Sequence, residues 1–265
     1  MLVSRIARVA LIGAALCALP SLALAQAKPF EPTVGQAGKD VVWVPTPQAL
    51  VEKMLDMAKV TPQDYLIDLG SGDGRTVITA AKRGLRAQGI EYNPDMVDLS
   101  KKNATAAGVA DKATFVKADL FETDFSKAQV ITMFLLPSIN LRLRPTILNM
   151  KPGTRIVSNS FTMDNWTADA TTTVEGDCTT WCTAYLWIVP AKAEGTWQLG
   201  QQALTLKQEF QVLTGTLGST PLTSGRLNGD QITLVAGGTT YTGTVNGSSM
   251  KGTSSTGAAW SASKK

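Results

Sequence analysis

The stretch Tyr65 to Arg75, YLIDLGSGDGR, constrains this chain more than any other. Tyr65, Leu66, Ile67 and Leu69 read as a short buried strand, with Asp68 near its carboxyl end. Gly70, Gly72 and Gly74 follow at alternate positions, and then TVITAAKRG, a helix-forming run with a glycine stop at Gly84. Strand, glycine turn and helix together hold a nucleotide-like ligand at the carboxyl edge of a parallel sheet. Glycine supplies the positive φ of the turn and lets a ligand approach the backbone. The helix start offers unpaired N–H groups. The spacing is D-x-G-x-G-x-G rather than the G-x-G-x-x-G of dinucleotide folds.

The rest of the chain narrows the chemistry. Histidine is absent and cysteine occurs three times in 265 residues, which excludes Ser-His-Asp and Cys-His catalysis and argues against zinc. Lysine and arginine exceed the acids by 25 to 21, a formal +4 that falls to +2 without Arg5 and Arg8. That balance, with no basic run interleaved with aromatics, is no nucleic-acid footprint. A hydrophobic fraction of 44% supports a substantial core.

Residues 1–25 read as a secretory signal: Arg5 and Arg8, then the apolar Val9 to Leu19, then Ala23-Leu24-Ala25 before Gln26. Periplasmic or secreted location is therefore expected, with a membrane anchor through residues 9–25 as the alternative. Cys178 and Cys182 are then the only cysteines of the mature chain, and an exported pair is expected to form a small-loop disulfide. Two free thiols, or half of a metal site, are the alternatives.

Residues 26–40 read as a linker. Val41 to Thr46 is extended, and Thr46 is placed to cap a helix whose first position is Pro47. Leu50, Val51, Met54, Leu55 and Ala58 share one face of that helix. Arg86 to Glu91 is a second strand. Glu91 ends it about twenty residues beyond the first glycine, where an acid grips a ribose. A helix over Pro94–Ala107, a strand over Thr114–Ala118, a strand over Ala128–Phe134, a helix over Leu141–Asn149 and strands over Arg155–Asn159 and Ala184–Val189 follow. The alternation predicts an α/β, Rossmann-like, mainly parallel sheet with helices on both faces across residues 41–192. From Gly195 the composition changes to isolated apolar residues among Thr, Ser and Gly. Asn228-Gly229 and Asn246-Gly247 are hairpin turns in a weak repeat. Residues 195–265 are expected to form a small antiparallel β meander, packed on the first domain or curled into a half-barrel.

Residues 41–190 resemble the class I S-adenosylmethionine (SAM) methyltransferases. Within these they look most like the protein-lysine methyltransferases of the ATP synthase c-subunit type and their bacterial relatives. The carrying motifs are Trp43-Val44-Pro45-Thr46, DLGSGDGR at Asp68 to Arg75, GIEYNP at Gly89 to Pro94, ADLF at Ala118 to Phe121, and the segment Val157 to Trp166. Trp43 departs from the Phe or Tyr usual there, and the eukaryotic members lack the cysteine loop and the C-terminal β segment. The resemblance implies SAM as cofactor. Asp68, Gly70, Gly72 and Gly74 would hold its methionine end, Glu91 its ribose, and Asp119 and Leu120 its adenine, with Thr46 lying over the donor. Phe134, Leu135 and Pro137 would line the substrate entrance, and Phe161 and Trp166 could face a sulfonium or a methylated ammonium. It also implies an amine acceptor, a protein lysine by analogy. No nucleic-acid partner and no metal are expected, and a monomer is. An exported, non-catalytic binding module for a nucleoside-like ligand or a protein partner fits the same residues as an alternative.

Overall fold

The computed structural model describes residues 30–176 and 178–265. The signal-peptide reading and part of the linker reading lie outside those residues. Among the described residues no helix is long and apolar enough to cross a membrane.

Seven strands form the first sheet, in the order β3-β2-β1-β4-β5-β7-β6. They are β1 (Tyr65–Leu69), β2 (Arg86–Glu91), β3 (Ala113–Lys117), β4 (Val130–Met133), β5 (Arg155–Asn159), β6 (Ala170–Thr173) and β7 (Thr183–Ile188). The first five run parallel, and β7 is antiparallel to its neighbours β5 and β6. The pleat divides β1 between two cores. Leu66 joins a cluster with the helices α1 (Gln48–Met57), α2 (Arg75–Lys82) and α3 (Pro94–Ala106). Ile67 and Leu69 join a second cluster with α4 (Pro137–Ile147). Strands covered on both faces explain the near-continuous apolar runs of β1 and β4.

Several boundaries differ from the sequence reading. Pro47 is the N-cap of α1 and no side chain caps it; the Thr46 hydroxyl instead accepts from Asn159 Nδ2 at 3.3 Å. Helix α4 begins at Pro137, four residues before the expected start, because proline at the first position needs no N–H partner. Strand β6, sequence ATTT, is an edge strand with little apolar content and so carries no period-two signal.

The C-terminal segment is the expected antiparallel β meander, and it curls past a half-barrel into a closed eight-stranded barrel. Strands β8 (Gly195–Leu199) to β15 (Ala259–Lys264) run up and down, and β15 closes on β8 through Ala262–Leu199 and its neighbours. Trp197, Leu204, Leu206, Leu213, Leu227, Ile232, Leu234 and Trp260 fill the interior, so closure removes both sheet edges and leaves a packed core.

The barrel is seated on the sheet domain through Trp166. That side chain is fully buried. Its ring stacks on Phe210 at 5.7 Å between centroids, and its Nε1–H donates to Gln211 Oε1 at 2.9 Å. Gln211 Nε2 donates onward to the Thr167 carbonyl at 2.8 Å, and Arg226 pairs with Asp169 at 2.6 Å. Trp166→Ala should lower the unfolding free energy by about 3–5 kcal/mol, since it opens a cavity and strands the buried Gln211 carbonyl. Denaturant titration of the full chain checks this; a loss below about 1 kcal/mol would show the seat is not Trp166.

Candidate active site

Strand order reverses direction between β1 and β4, and the carboxyl ends of these strands open a crevice there. The glycine turn lies at its floor. Gly70, Gly72 and Gly74 have φ of 76°, 53° and 83°, which L side chains rarely adopt. The amides of Gly70 and Ser71 both donate to the Ile90 carbonyl, at 2.9 and 3.1 Å. From α3, Ser100 Oγ donates to the Gly72 carbonyl at 2.8 Å and Asn103 Nδ2 to that of Asp73 at 2.9 Å. Glu91 is held by two amides, Gly72 N–H at 3.0 Å and Asn93 N–H at 2.9 Å. The turn is therefore fixed before any ligand arrives.

A cavity of about 560 Å³ rises from this floor. Thr46, Asp68, Gly70, Gly72, Glu91, Asp119, Leu120, Phe134, Leu135 and Phe161, ten of the residues expected from the sequence, line it. Gly74 does not. It caps α2 from behind the turn, where a Cβ would lie 2.7 Å from the Phe115 ring. Two substrate-entrance candidates are corrected. Pro137 opens α4 and is not among the lining residues, and Trp166 is consumed by the barrel seat. The lining also contains residues that sequence reasoning missed. Gln36 to Asp40, read as linker, folds back over the cavity through an Ala37–Val42 bridge. Trp43 covers Gly72, and Trp181 reaches in from the β6–β7 connection. Trp43 belongs to the Trp43-Val44-Pro45-Thr46 motif, whereas Trp181 carries no periodic signal.

The charges of the lining are uneven. Asp68 is buried and, among the described residues, accepts a side-chain bond only from Thr132 Oγ1, at 2.7 Å. Burial pushes its carboxyl up to about 7, with Asp73 and Glu91 adding in the same direction. Among the described residues no lysine or arginine pairs with it. Asp119 accepts from Phe121 N–H at 2.9 Å and from Lys39, and the lysine holds its carboxyl below the usual range. Arg75 pairs with Asp73 at 2.6 Å. Both bases of the lining are thus already paired, while among the described residues Asp68, Glu91 and Asp40 form no salt bridge.

These features suit SAM. A buried carboxylate without a cation fits an ammonium, a twice-donated carboxylate has acceptor capacity left for hydroxyls, and the turn presents no Cβ at Gly70 and Gly72. The profile of the ANTKMT methyltransferase domain matches residues 68–170. A protein-lysine N-methyltransferase of Saccharolobus islandicus is 41% identical over 152 residues, which are 56% of this chain and 94% of that protein. The chain belongs to the class I SAM-dependent methyltransferases. Among its solved relatives is an RNA methyltransferase from Salinibacter ruber in complex with S-adenosyl-L-homocysteine, 48% identical, with a TM-score of 0.53 over 56% of this chain and 95% of that one. The lysine N-methyltransferase of the ATP synthase c-subunit from Mus musculus is 36% identical over 52% of this chain, and the chain spans only 56% of that protein's length. SAM is the cofactor of this methyltransferase, as the S-adenosyl-L-homocysteine bound in the Salinibacter structure indicates. The domain profile ends at residue 170, before the barrel begins at Gly195.

Proposed function

We propose that this methyltransferase modifies a lysine ε-amine of a protein acceptor. The observation that carries the reading is the charge of the cavity lining: five acids, Asp40, Asp68, Asp73, Glu91 and Asp119, against Lys39 and Arg75, both already paired. Such a field draws in a cation and repels a phosphate backbone. The named activities of the archaeal and mouse relatives support it.

In this reading Asp68 holds the α-ammonium of SAM, the Gly70–Gly72 backbone runs beneath its methionine end, and Glu91 takes the ribose hydroxyls. Asp119 and Leu120 receive the adenine, whose amino group must share Asp119 with Lys39. Thr46, its hydroxyl held by Asn159, lies over the donor. Bound SAM supplies an electrophilic methyl on a sulfonium, which the nitrogen lone pair of the acceptor takes as the carbon–sulfur bond breaks. The chain's own part is to position the amine in line. Phe134, Leu135 and Leu136 also make the approach apolar, which lowers the amine's pKa so that it arrives neutral and its proton leaves to solvent. No histidine is required.

The test is radiolabelled methyl transfer to poly-lysine and, separately, to total RNA. Label on lysine ε-nitrogen is expected; label on RNA alone would overturn the reading.

We also propose that the chain is exported and cleaved after Ala25. The leader pattern and the Cys178–Cys182 disulfide of the structure support this. Amino-terminal sequencing of protein from the periplasmic fraction should begin at Gln26; an intact leader on cytoplasmic protein would sink it.

A further inference from the structure

Trp181 is out of place for an apolar side chain. It is 41% exposed, and its φ of 59° lies in the left-handed region that bulky residues avoid. Nothing in either core requires it. Its neighbours hold it there: Cys178 and Cys182 are joined by a disulfide across five residues of the β6–β7 connection. The end of that connection is tied to the sheet by two backbone bonds. Val174 N–H donates to the Cys182 carbonyl at 2.9 Å, and Ser160 N–H donates to the Thr183 carbonyl at 2.7 Å. Because β7 runs antiparallel to β5, with Ala184 beside Asn159, this places the loop at the carboxyl edge where the cavity opens.

There the indole meets two rings from other elements. Trp181 lies 5.8 Å from Phe134 and 5.5 Å from Phe161, and the two phenylalanines are 6.0 Å apart, all between centroids. All three line the cavity. Phe134 follows β4, whose end borders the glycine turn's crevice, and Phe161 follows its neighbour β5. With sides of this length, a cation on the cavity side of the triangle can lie within about 6 Å of every ring centre, the range in which ring quadrupoles attract it. The rings also give an alkyl stem a dry wall.

We propose that Phe134, Phe161 and Trp181 form the acceptor subsite, which grips the alkylammonium side chain of the incoming lysine and its methylated products, and that the Cys178–Cys182 disulfide is what presents Trp181 to it. The inference rests on the lysine reading above. It deepens that reading by naming the residues that select the acceptor and by making acceptor affinity depend on the oxidation of one disulfide. Phe134, Phe161 and Trp181 act on the substrate directly. Cys178 and Cys182 are positioning residues.

The experiment is steady-state methylation of poly-lysine by the full-length mature chain, wild type beside Trp181→Ala, Trp181→Phe and Cys178→Ser/Cys182→Ser. SAM affinity is measured calorimetrically on each. Trp181→Ala should raise the poly-lysine KM about tenfold, with kcat and SAM Kd little changed, and Trp181→Phe should recover most of the loss because it restores a ring face. Dithiothreitol should raise the KM of the wild type and the cysteine double variant should match that value, while Trp181→Ala should not respond further to the reductant. Wild-type activity with an unchanged KM in Trp181→Ala overturns the subsite and leaves the lysine reading standing. A KM raised in Trp181→Ala but indifferent to reductant in the wild type overturns the disulfide's role. A wild type that binds SAM yet never labels lysine overturns both readings together.

Discussion

Gly72→Arg is expected to abolish SAM binding in a chain that still folds. Gly72 sits at φ 53°, where a side chain is strained whatever the space, at a cost of roughly 1–2 kcal/mol. The space is also taken. A Cβ there would lie 2.6 Å from Trp43 Nε1 and 3.0 Å from its Cδ1, both in a rigid ring. To relieve the contact the turn must move, and with it the Gly72 N–H that holds Glu91. The proposed ribose grip and the floor under the methionine end are then lost at once. Calorimetric titration should show at least a hundredfold loss of SAM affinity, while far-ultraviolet circular dichroism stays that of the wild type because the turn lies at the sheet edge. Retained micromolar binding would show that the donor does not lie on this turn.

Asp68 gives the second large effect, with opposite signs for stability and for binding. In the ligand-free protein its carboxyl keeps its proton to about pH 7, against the ordinary 3.8 of an unfolded chain. Between those values the folded state carries a proton that the unfolded state has released. Stability therefore falls as pH rises from about 4 to about 7, and is level above. At about 1.4 kcal/mol per unit, the whole span is on the order of 4 kcal/mol. Asp68→Asn keeps an acceptor for Thr132 Oγ1 and removes the titration. The variant should be the more stable protein at pH 8, with a flat stability profile up to that pH. Donor binding should run the other way. Only the ionised carboxylate answers the ammonium that we place against it, so wild-type SAM affinity should climb about tenfold per pH unit below 7 and level off above. Asp68→Asn should bind weakly with no such climb. Calorimetry between pH 5.5 and 8.5 on both proteins decides it, and a flat wild-type profile would remove Asp68 from the donor site. A group that destabilises the empty protein in order to bind its ligand is the usual trade of a functional site.

Much of this was legible in the chain itself. Tyr65–Leu69, Arg86–Glu91 and Arg155–Asn159 were readable to the residue because buried parallel strands are short apolar runs with sharp ends. The glycine turn and the acids Asp68, Glu91 and Asp119 were readable because each must stand at a strand's carboxyl end. Local chemistry sets these features: strand propensity, glycine φ and a fixed offset between strand ends. Other features depend on partners far away in sequence. Trp166 and Trp181 are equal as letters, yet one is locked beneath Phe210 and Gln211 of the barrel and the other stands at the cavity mouth beside Phe134 and Phe161. Residues 36–40 look like linker until the Ala37–Val42 bridge turns them onto Asp119. The barrel closes only because β15 finds β8, a pairing between Ala262 and Leu199 that no local pattern announces. The strand–turn–helix floor and the position of its acids follow from the chain alone, because they obey short-range rules. Which tryptophan stands at the cavity mouth and how the C-terminal strands close are tertiary matters, because both are settled by which surfaces are left to bury once the sheet has formed.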